Sequence, residues 1–254
     1  MTRPLAWVTG ANRGIGRGIA AALAARGFDV VGTDLSENDD TAITRGLVTE
    51  AGGAFRFVYG DIARPEQAPA LVAEVTRDRP LHCLVNNAGL QTRQRIDILD
   101  MPEAEYDRIM SVNLRGTFFL TQAAAKAMLA APDTPHRSIV SITSAAAEAV
   151  NPRSAAYCMS KAGLSMMVRL FALRLAEAGI ATFEVRPGLI RTPMNSDDLR
   201  PYEAAFESGR VPYRKWGHIE QVGKAVATLA SGDIPYSTGD VVNVSGGFQI
   251  AQIA

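Results

Sequence analysis

Short runs that are apolar along their whole length, rather than at alternate positions, recur through this chain between stretches of helical period. Leu5–Thr9, Phe28–Thr33, Ala54–Tyr59, Leu81–Asn86, Ser138–Ile142, Ile180–Val185 and Val241–Val244 read as strands of this kind. A strand that is apolar on both sides has to be covered on both sides, and helices alternating with such strands do this over a parallel sheet. The predicted helices are Gly14–Ala25, closed by Gly27, then stretches at 40–51 and 66–77, with Pro65 suited to a first turn. Glu103–Ala130 reads as one long helix stopped by Pro132, Ser154–Ala178 as another ending at Gly179, and Ile219–Ala230 as the last. The expected architecture is α/β: a single doubly wound parallel sheet with helices on both faces, one domain over residues 1–254.

Composition excludes several classes. A content of 47% hydrophobic residues in 254 is enough for a large core. Equal numbers of acidic and basic residues, 26 each, give no long-range field that would favour nucleic acid or an anionic membrane. No apolar stretch is long enough to span a bilayer, and Met-Thr-Arg-Pro runs straight into the first strand, leaving no room for a signal peptide. Cys83 and Cys158, both in apolar surroundings, are too few for a disulfide framework, so a reducing cytoplasm is expected. No metal-ligand cluster is assigned.

Between the first strand and the first helix lies Thr9-Gly10-Ala11-Asn12-Arg13-Gly14-Ile15-Gly16. Glycines at this point permit a tight turn, close approach of a pyrophosphate to the backbone, and close packing of helix on strand, while the helix N-terminus offers free amides to an anion. Its GxxxGxG spacing departs from GxGxxG, and taken alone the turn serves equally as a plain strand-to-helix connection. Asp34, after the second strand, stands where an acidic group accepts from adenosine ribose hydroxyls; the alternative is a turn residue ahead of a helix capped by Ser36. Asp61 and Ile62, after the third strand, offer an adenine one polar contact and an apolar wall. A 2′-phosphate beside Asp34 would meet a repulsion of about 4 kcal/mol per charge pair at about 4 Å and intermediate dielectric. NAD is therefore the expected coenzyme, with NADP open because Arg13 could attract that phosphate.

Downstream, Tyr157 and Lys161 are four residues apart on one helix face, with Ser144 upstream. An ammonium near a phenol stabilises the phenolate and lowers its pKa from about 10, which makes Tyr157 a workable general base for alcohol oxidation and an acid for the reverse. Ser144 can hydrogen-bond the substrate oxygen, and Lys161 can also reach ribose hydroxyls of a bound dinucleotide.

These residues resemble the short-chain dehydrogenase/reductase family over essentially the whole chain. The motifs fall in the family's order: TGxxxGIG at 9–16, Asn86-Asn87-Ala88-Gly89, Asn113, Ser144, the YxxxK of Tyr157 and Lys161, and Pro187-Gly188. The resemblance implies a Rossmann domain and an oxidoreductase dependent on NAD or NADP. It further implies that Asn113 holds a water in a proton relay behind Lys161, where the residue's own alternative is back-bonding to its helical turn. Asn87, Ala88 and Gly89 would wall the cofactor, with Val112 less firmly implied, and Thr192 would contact carboxamide or pyrophosphate.

The segment 188–218 is too long for an ordinary connection and carries Tyr202, Phe206, Tyr213 and Trp216. It is either a disordered excursion or a substrate-covering loop, and its aromatic content favours the loop. Gln91, Arg93, Arg95, Glu148, Asn151 and Arg153 are expected to flank the reaction centre, a polar, arginine-rich set suited to a sugar, polyol or hydroxy acid. The alternative is reduction of a 3-oxoacyl thioester on acyl carrier protein, which would call for a basic docking patch; the helix ends here are largely neutral. A non-catalytic nucleotide-binding scaffold would have lost one of Ser144, Tyr157 or Lys161, and none is missing. Apolar surface on the helix at 154–178, in excess of what one sheet face covers, points with the family resemblance to a dimer or tetramer.

Overall fold

The computed structural model describes residues 2–131, 136–193 and 200–250. Seven parallel strands form one sheet: β1 Leu5–Thr9, β2 Asp29–Asp34, β3 Phe55–Tyr59, β4 Leu81–Asn86, β5 Arg137–Ile142, β6 Ile180–Pro187 and β7 Val241–Val244. Their spatial order is β3-β2-β1-β4-β5-β6-β7. The chain reverses its direction of travel across the sheet between β1 and β4, and in such sheets the crevice at the carboxyl ends of the two strands is where ligands bind.

The helices are α1 Gly14–Ala25, α2 Asp39–Glu50, α3 Ala68–Val75, α4 Glu103–Met110, α5 Thr117–Ala130, α6 Ala155–Leu175, α7 Arg200–Glu207 and α8 Ile219–Ala230. They bury two cores, one on each face of the sheet. Ile19 and Leu23 of α1 and Val222 and Val226 of α8 pack on one face; Leu120, Ala124 and Met128 of α5, with Leu71 and Val72 of α3, pack on the other. This is the double covering that the apolar strands require.

Four departures from the sequence expectation have physical causes. The helix expected over Glu103–Ala130 is broken by a π-helical segment, Ser111–Gly116. There the Asn113 side chain turns inward to the loop after β4, and Gly116 lies so close to Ile62 that a Cβ would come within 2.1 Å of its carbonyl oxygen. Pro132, the expected stop, lies outside the described residues. Asn38 rather than Ser36 caps α2, accepting from the Thr41 amide at 3.3 Å while Thr41 Oγ1 accepts from the Asn38 amide. Cys158 is half-buried with its Sγ near the Ala149 and Asn151 carbonyls, not in an apolar setting, whereas burial pushes the Cys83 thiol up to about 12. Within 188–218, where no periodicity is legible, α7 forms and its Phe206 meets Trp216 edge-on at 5.4 Å between ring centroids. Residues 194–199 of that segment lie outside the described residues. Among the described residues no helix is long and apolar enough to cross a membrane.

Candidate active site

The glycine turn and the loop after β4 are fastened to each other at the crevice. Thr9 Oγ1, at the end of β1, accepts from the amides of Asn87 and Ala88, both at 3.0 Å. Asn87 Nδ2 donates back to the carbonyls of Thr9, at 2.8 Å, and Gly10, at 3.0 Å. Gly10 has φ +65, a left-handed conformation that glycine adopts without strain. A Cβ on Gly16 would come within 2.0 Å of the Gly10 oxygen, so the first turn of α1 can reach this position only without a side chain. Arg13, exposed, stands at the helix N-cap in extended conformation, and Ile15 packs against the core. Across the crevice, a Cβ on Gly14 would sit 3.8 Å from the Thr192 side chain, which places Thr192 opposite the turn.

On the β2 side, Asn12 is buried and bridges the turn to α2, donating to the Ser36 carbonyl at 2.7 Å and accepting from Thr41 Oγ1 at 2.9 Å. Asp34 ends β2, half-buried, and has no ion-pair partner among the described residues; its Oδ1 accepts from the Leu35 amide at 2.9 Å. Arg17, a turn beyond Arg13, is committed to Asp40 and to the Asn12 carbonyl. Asp61 accepts from the Ala63 amide at 2.9 Å and Ile62 is buried beside it.

At the other end of the crevice, Ser144 follows β5 and opens a short 3₁₀ turn, Ala145–Ala147, its Oγ accepting from the Ala146 amide at 3.1 Å. That turn packs against α6, which carries Tyr157 and Lys161. Lys161 is buried, donates to the Ile142 carbonyl at 3.0 Å, and has its Nζ 5.7 Å from the Tyr157 ring centroid. Burial pushes its pKa down to about 8, opposed by the negative charge of Glu184. Gly89 completes the grouping: a Cβ there would lie 3.3 Å from Asn113 Oδ1 and 3.6 Å from Lys161 Nζ. Asn113 does not bond back to its own turn. Its Oδ1 accepts from the Leu90 amide at 2.7 Å, and its Nδ2 donates to the Leu90 carbonyl at 2.9 Å and to Ser160 Oγ at 3.1 Å.

The residues expected around a substrate lie on two adjoining exposed loops. Gln91 and Arg93 are held by α4: the Gln91 carbonyl accepts from Arg108 at 2.9 Å, and the Arg93 amide donates to Glu105 at 3.0 Å. Arg108 hydrogen bonds, with Arg93 adding to them, hold the Glu105 carboxyl down at about 2. Asn151 caps the turn Pro152–Ser154 by accepting from the Arg153 amide at 3.0 Å, and Arg153 reaches the Arg95 carbonyl at 3.4 Å. Glu148 differs from expectation, because Arg186 of β6 takes its carboxylate. The sequence reading passed over Arg186 and its partner Glu184; the available signal was a pair of opposite charges two residues apart in a strand whose one other polar residue is Thr182. Gly188 follows Pro187 and packs so tightly that a Cβ would lie 2.7 Å from Ser245 Cα. Beyond it lies a cavity of about 410 Å³, lined by Ile190, Tyr213, Trp216, Gln221 and Ser245 among others.

The chain is similar to known proteins over nearly its whole length. The family described as enoyl-(acyl carrier protein) reductase matches residues 10–249. A 2-dehydro-3-deoxy-D-gluconate 5-dehydrogenase of Bacillus subtilis is 34% identical over 245 residues, 96% of this chain and 93% of that protein. The solved structure of a Brucella melitensis 3-oxoacyl-[acyl-carrier protein] reductase in complex with NAD covers 100% of both chains at 45% identity, with a TM-score of 0.95. The chain belongs to the short-chain dehydrogenase/reductase family. An Agrobacterium tumefaciens structure with bound NADP also aligns, at 33% identity and a TM-score of 0.84 over 96% of each chain. As a member of this family the protein is a dehydrogenase/reductase dependent on NAD or NADP and acting on CH–OH or carbonyl groups. The side-chain-free cradle at Gly10, Gly14 and Gly16 is compatible with a dinucleotide lying across the crevice.

Proposed function

We propose that the protein interconverts a secondary alcohol and a carbonyl on a small polar substrate, a sugar, polyol or hydroxy acid, with NAD preferred. The observation that carries this reading is the buried Lys161 ammonium beside the Tyr157 ring, next to the turn that starts at Ser144. Tyr157 takes the alcohol proton in oxidation and returns it in reduction. Lys161 holds positive charge against the phenolate and meets the ribose hydroxyls of the coenzyme, while Ser144 donates to the substrate oxygen as charge develops there. Asn113 shapes the loop at Leu90 and Gly89 and keeps a water behind Lys161. When bound, NAD supplies the hydride acceptor; the residues for it are Gly10, Asn12, Arg13, Gly14, Ile15, Gly16, Asp34, Asp61, Ile62, Asn87, Ala88, Gly89, Tyr157, Lys161, Pro187, Gly188 and Thr192.

The preference for NAD is supported by Asp34, whose carboxylate has no ion-pair partner among the described residues, and by the commitment of Arg17 to Asp40. Asp34→Ala is expected to raise kcat/KM with NADP relative to NAD by about tenfold or more, since one unit-charge repulsion of over 1.4 kcal/mol is removed. Kinetics with both coenzymes giving an unchanged ratio would remove this argument.

A polar or anionic substrate is supported by the exposed Arg95 and Arg153, neither of which has an ion-pair partner among the described residues, while the charge of Arg93 acts on Glu105. The substrate loops and the 188–218 segment then form the cover of the site. A second reading, reduction of a 3-oxoacyl thioester, is favoured by the 45% identity to the Brucella protein. A panel of sugars, polyols, hydroxy acids and 3-oxoacyl thioesters, read by absorbance of reduced nicotinamide, separates the two. Both described cysteines are free thiols, in keeping with a reducing cytoplasm.

We also infer a homo-oligomer, a dimer or tetramer. Met166, Leu170 and Leu173 of α6 are 52%, 57% and 84% exposed and, with Phe119 of α5, form an apolar face with a groove of about 380 Å³ beside it. A second copy covering that face would remove it from water. Sedimentation equilibrium should give twice or four times the chain mass, and a monomer at micromolar concentration would contradict this.

A further inference from the structure

We propose that the buried Glu184–Arg186 pair on β6 is a positioning unit for the reaction, holding the Ser144 segment and the Tyr157–Lys161 face of α6 in one fixed relation. The proposal rests on the assignment of Ser144, Tyr157 and Lys161 as the reacting groups.

Glu184 is 0% and Arg186 5% exposed, and their side chains, two residues apart on a strand, leave the same face of the sheet. Glu184 accepts from Thr143 Oγ1 at 2.6 Å and from Ser165 Oγ at 2.7 Å. Thr143 immediately precedes Ser144. Ser165 lies four residues after Lys161, on the same face of α6. Arg186 binds Glu184 directly, donates to Ser165 Oγ at 2.9 Å, and with its remaining Nη1 holds the Glu148 carboxylate. Glu148 closes the 3₁₀ turn that Ser144 opens. One ion pair therefore grips the chain on both sides of Ser144 and one turn beyond Lys161.

Packing alone does not account for it. Two buried charges are costly to desolvate, and an apolar pair of similar volume often serves stability as well or better. What an apolar pair cannot do is accept from Thr143 and Ser165 while donating to Glu148, or set negative charge behind the lysine. Among the described residues, the negative charge of Glu184 acts on Lys161 and the Tyr157 ring lies beside it on its own helix, while Arg186 and Glu148 join the network through Glu184 and Ser165. Asn113 and Gly89, from the opposite side, are neutral.

Two measurements on the full chain test the proposal. Titration of Lys161 by NMR should show its midpoint about half a pH unit or more lower in Glu184→Gln than in the native protein, because a carboxylate that favours the ammonium is gone. Steady-state kinetics, with NAD(H) and the panel compound turned over fastest, should show Glu148→Ala lowering kcat about tenfold with KM little changed, as expected for misplaced reacting groups. Glu148→Gln, which can still accept from Arg186, should recover most of that loss. Since the Glu148 side chain is 65% exposed, its variants leave folding intact even if Glu184→Gln does not fold. An unmoved Lys161 midpoint, or a Glu148→Ala kcat within about twofold of native, overturns the proposal. If Tyr157→Phe retains full activity while the Lys161 shift is seen, the assignment of the reacting groups fails and the charge coupling stands.

Discussion

Replacing Tyr157 by Phe should lower kcat by about 10²- to 10⁴-fold, the span that a positioned proton donor or acceptor contributes. The Kd for NADH should stay within about threefold, because the proton transfer proposed for the lost hydroxyl belongs to the chemical step rather than to coenzyme binding. The structure supports that separation. The ring itself remains, and Lys161 keeps its hydrogen bond to the Ile142 carbonyl, so the lysine proposed to meet the coenzyme is undisturbed. The pair also predicts a pH dependence. Burial holds Lys161 at about 8, so its ammonium, and with it the support for a phenolate, is present below that value and fades above it. The oxidation rate, followed against pH, should fall as the Lys161 ammonium is lost above that value. A Tyr157→Phe protein with more than about a tenth of native turnover would refute the acid–base role.

Gly16→Ala should produce the second largest effect, on coenzyme binding and stability together. Its Cβ would lie 2.0 Å from the Gly10 oxygen and 2.6 Å from Asn87 Nδ2, neither of which can withdraw cheaply. Gly10 is held by its amide bond to the Thr33 carbonyl at 2.7 Å, and Asn87 Nδ2 bonds both Thr9 and Gly10. Forcing the turn open costs about 1–3 kcal/mol as an overpacked site does, and moves the amides aimed at the crevice. The melting temperature should fall by several degrees, at ~2–4 °C per kcal/mol for a chain near this size, and NADH affinity by more than about tenfold. Gly46→Ala is the control. It lies within α2 with nothing within 4 Å of the added Cβ and should stabilise slightly without touching coenzyme affinity. Equal behaviour of the two variants would mean that the turn does not cradle the coenzyme.

The fold was legible where the signal is local. β1, β4, β7, α1 and α8 lie at the residues that apolar runs and helical period indicate, because each is bounded by a glycine turn, a cap or a break in hydrophobicity. The π segment at Ser111–Gly116 was not, since the helical period runs through it; the widening answers to contacts with Leu90 and Ile62, which are distant in sequence. β6 runs to Pro187, two residues past its apolar run, because Arg186 and Pro187 pair with Asn243 and Val244 of β7. The α7 helix takes its support from Trp216, outside its own span.

The candidate site divides in the same way. Tyr157, Lys161, Ser144 and the glycines stand out as local spacings on element ends. The Glu184–Arg186 pair and its hold on Glu148 were hidden, because a strand's charges reveal their use only when the neighbouring elements are known. Substrate identity is the least legible part, since Gln91, Arg93, Asn151 and Arg153 lie on exposed loops where side-chain chemistry fixes a class and not a molecule.

The most direct test is a hydride-transfer assay of the native protein and Tyr157→Phe across the panel of sugars, polyols, hydroxy acids and 3-oxoacyl thioesters with both coenzymes. Turnover of a sugar, polyol or hydroxy acid by the native protein, fastest with NAD and lost in Tyr157→Phe, is the predicted result. No turnover of any compound with either coenzyme, or turnover that the Phe variant shares, would contradict it.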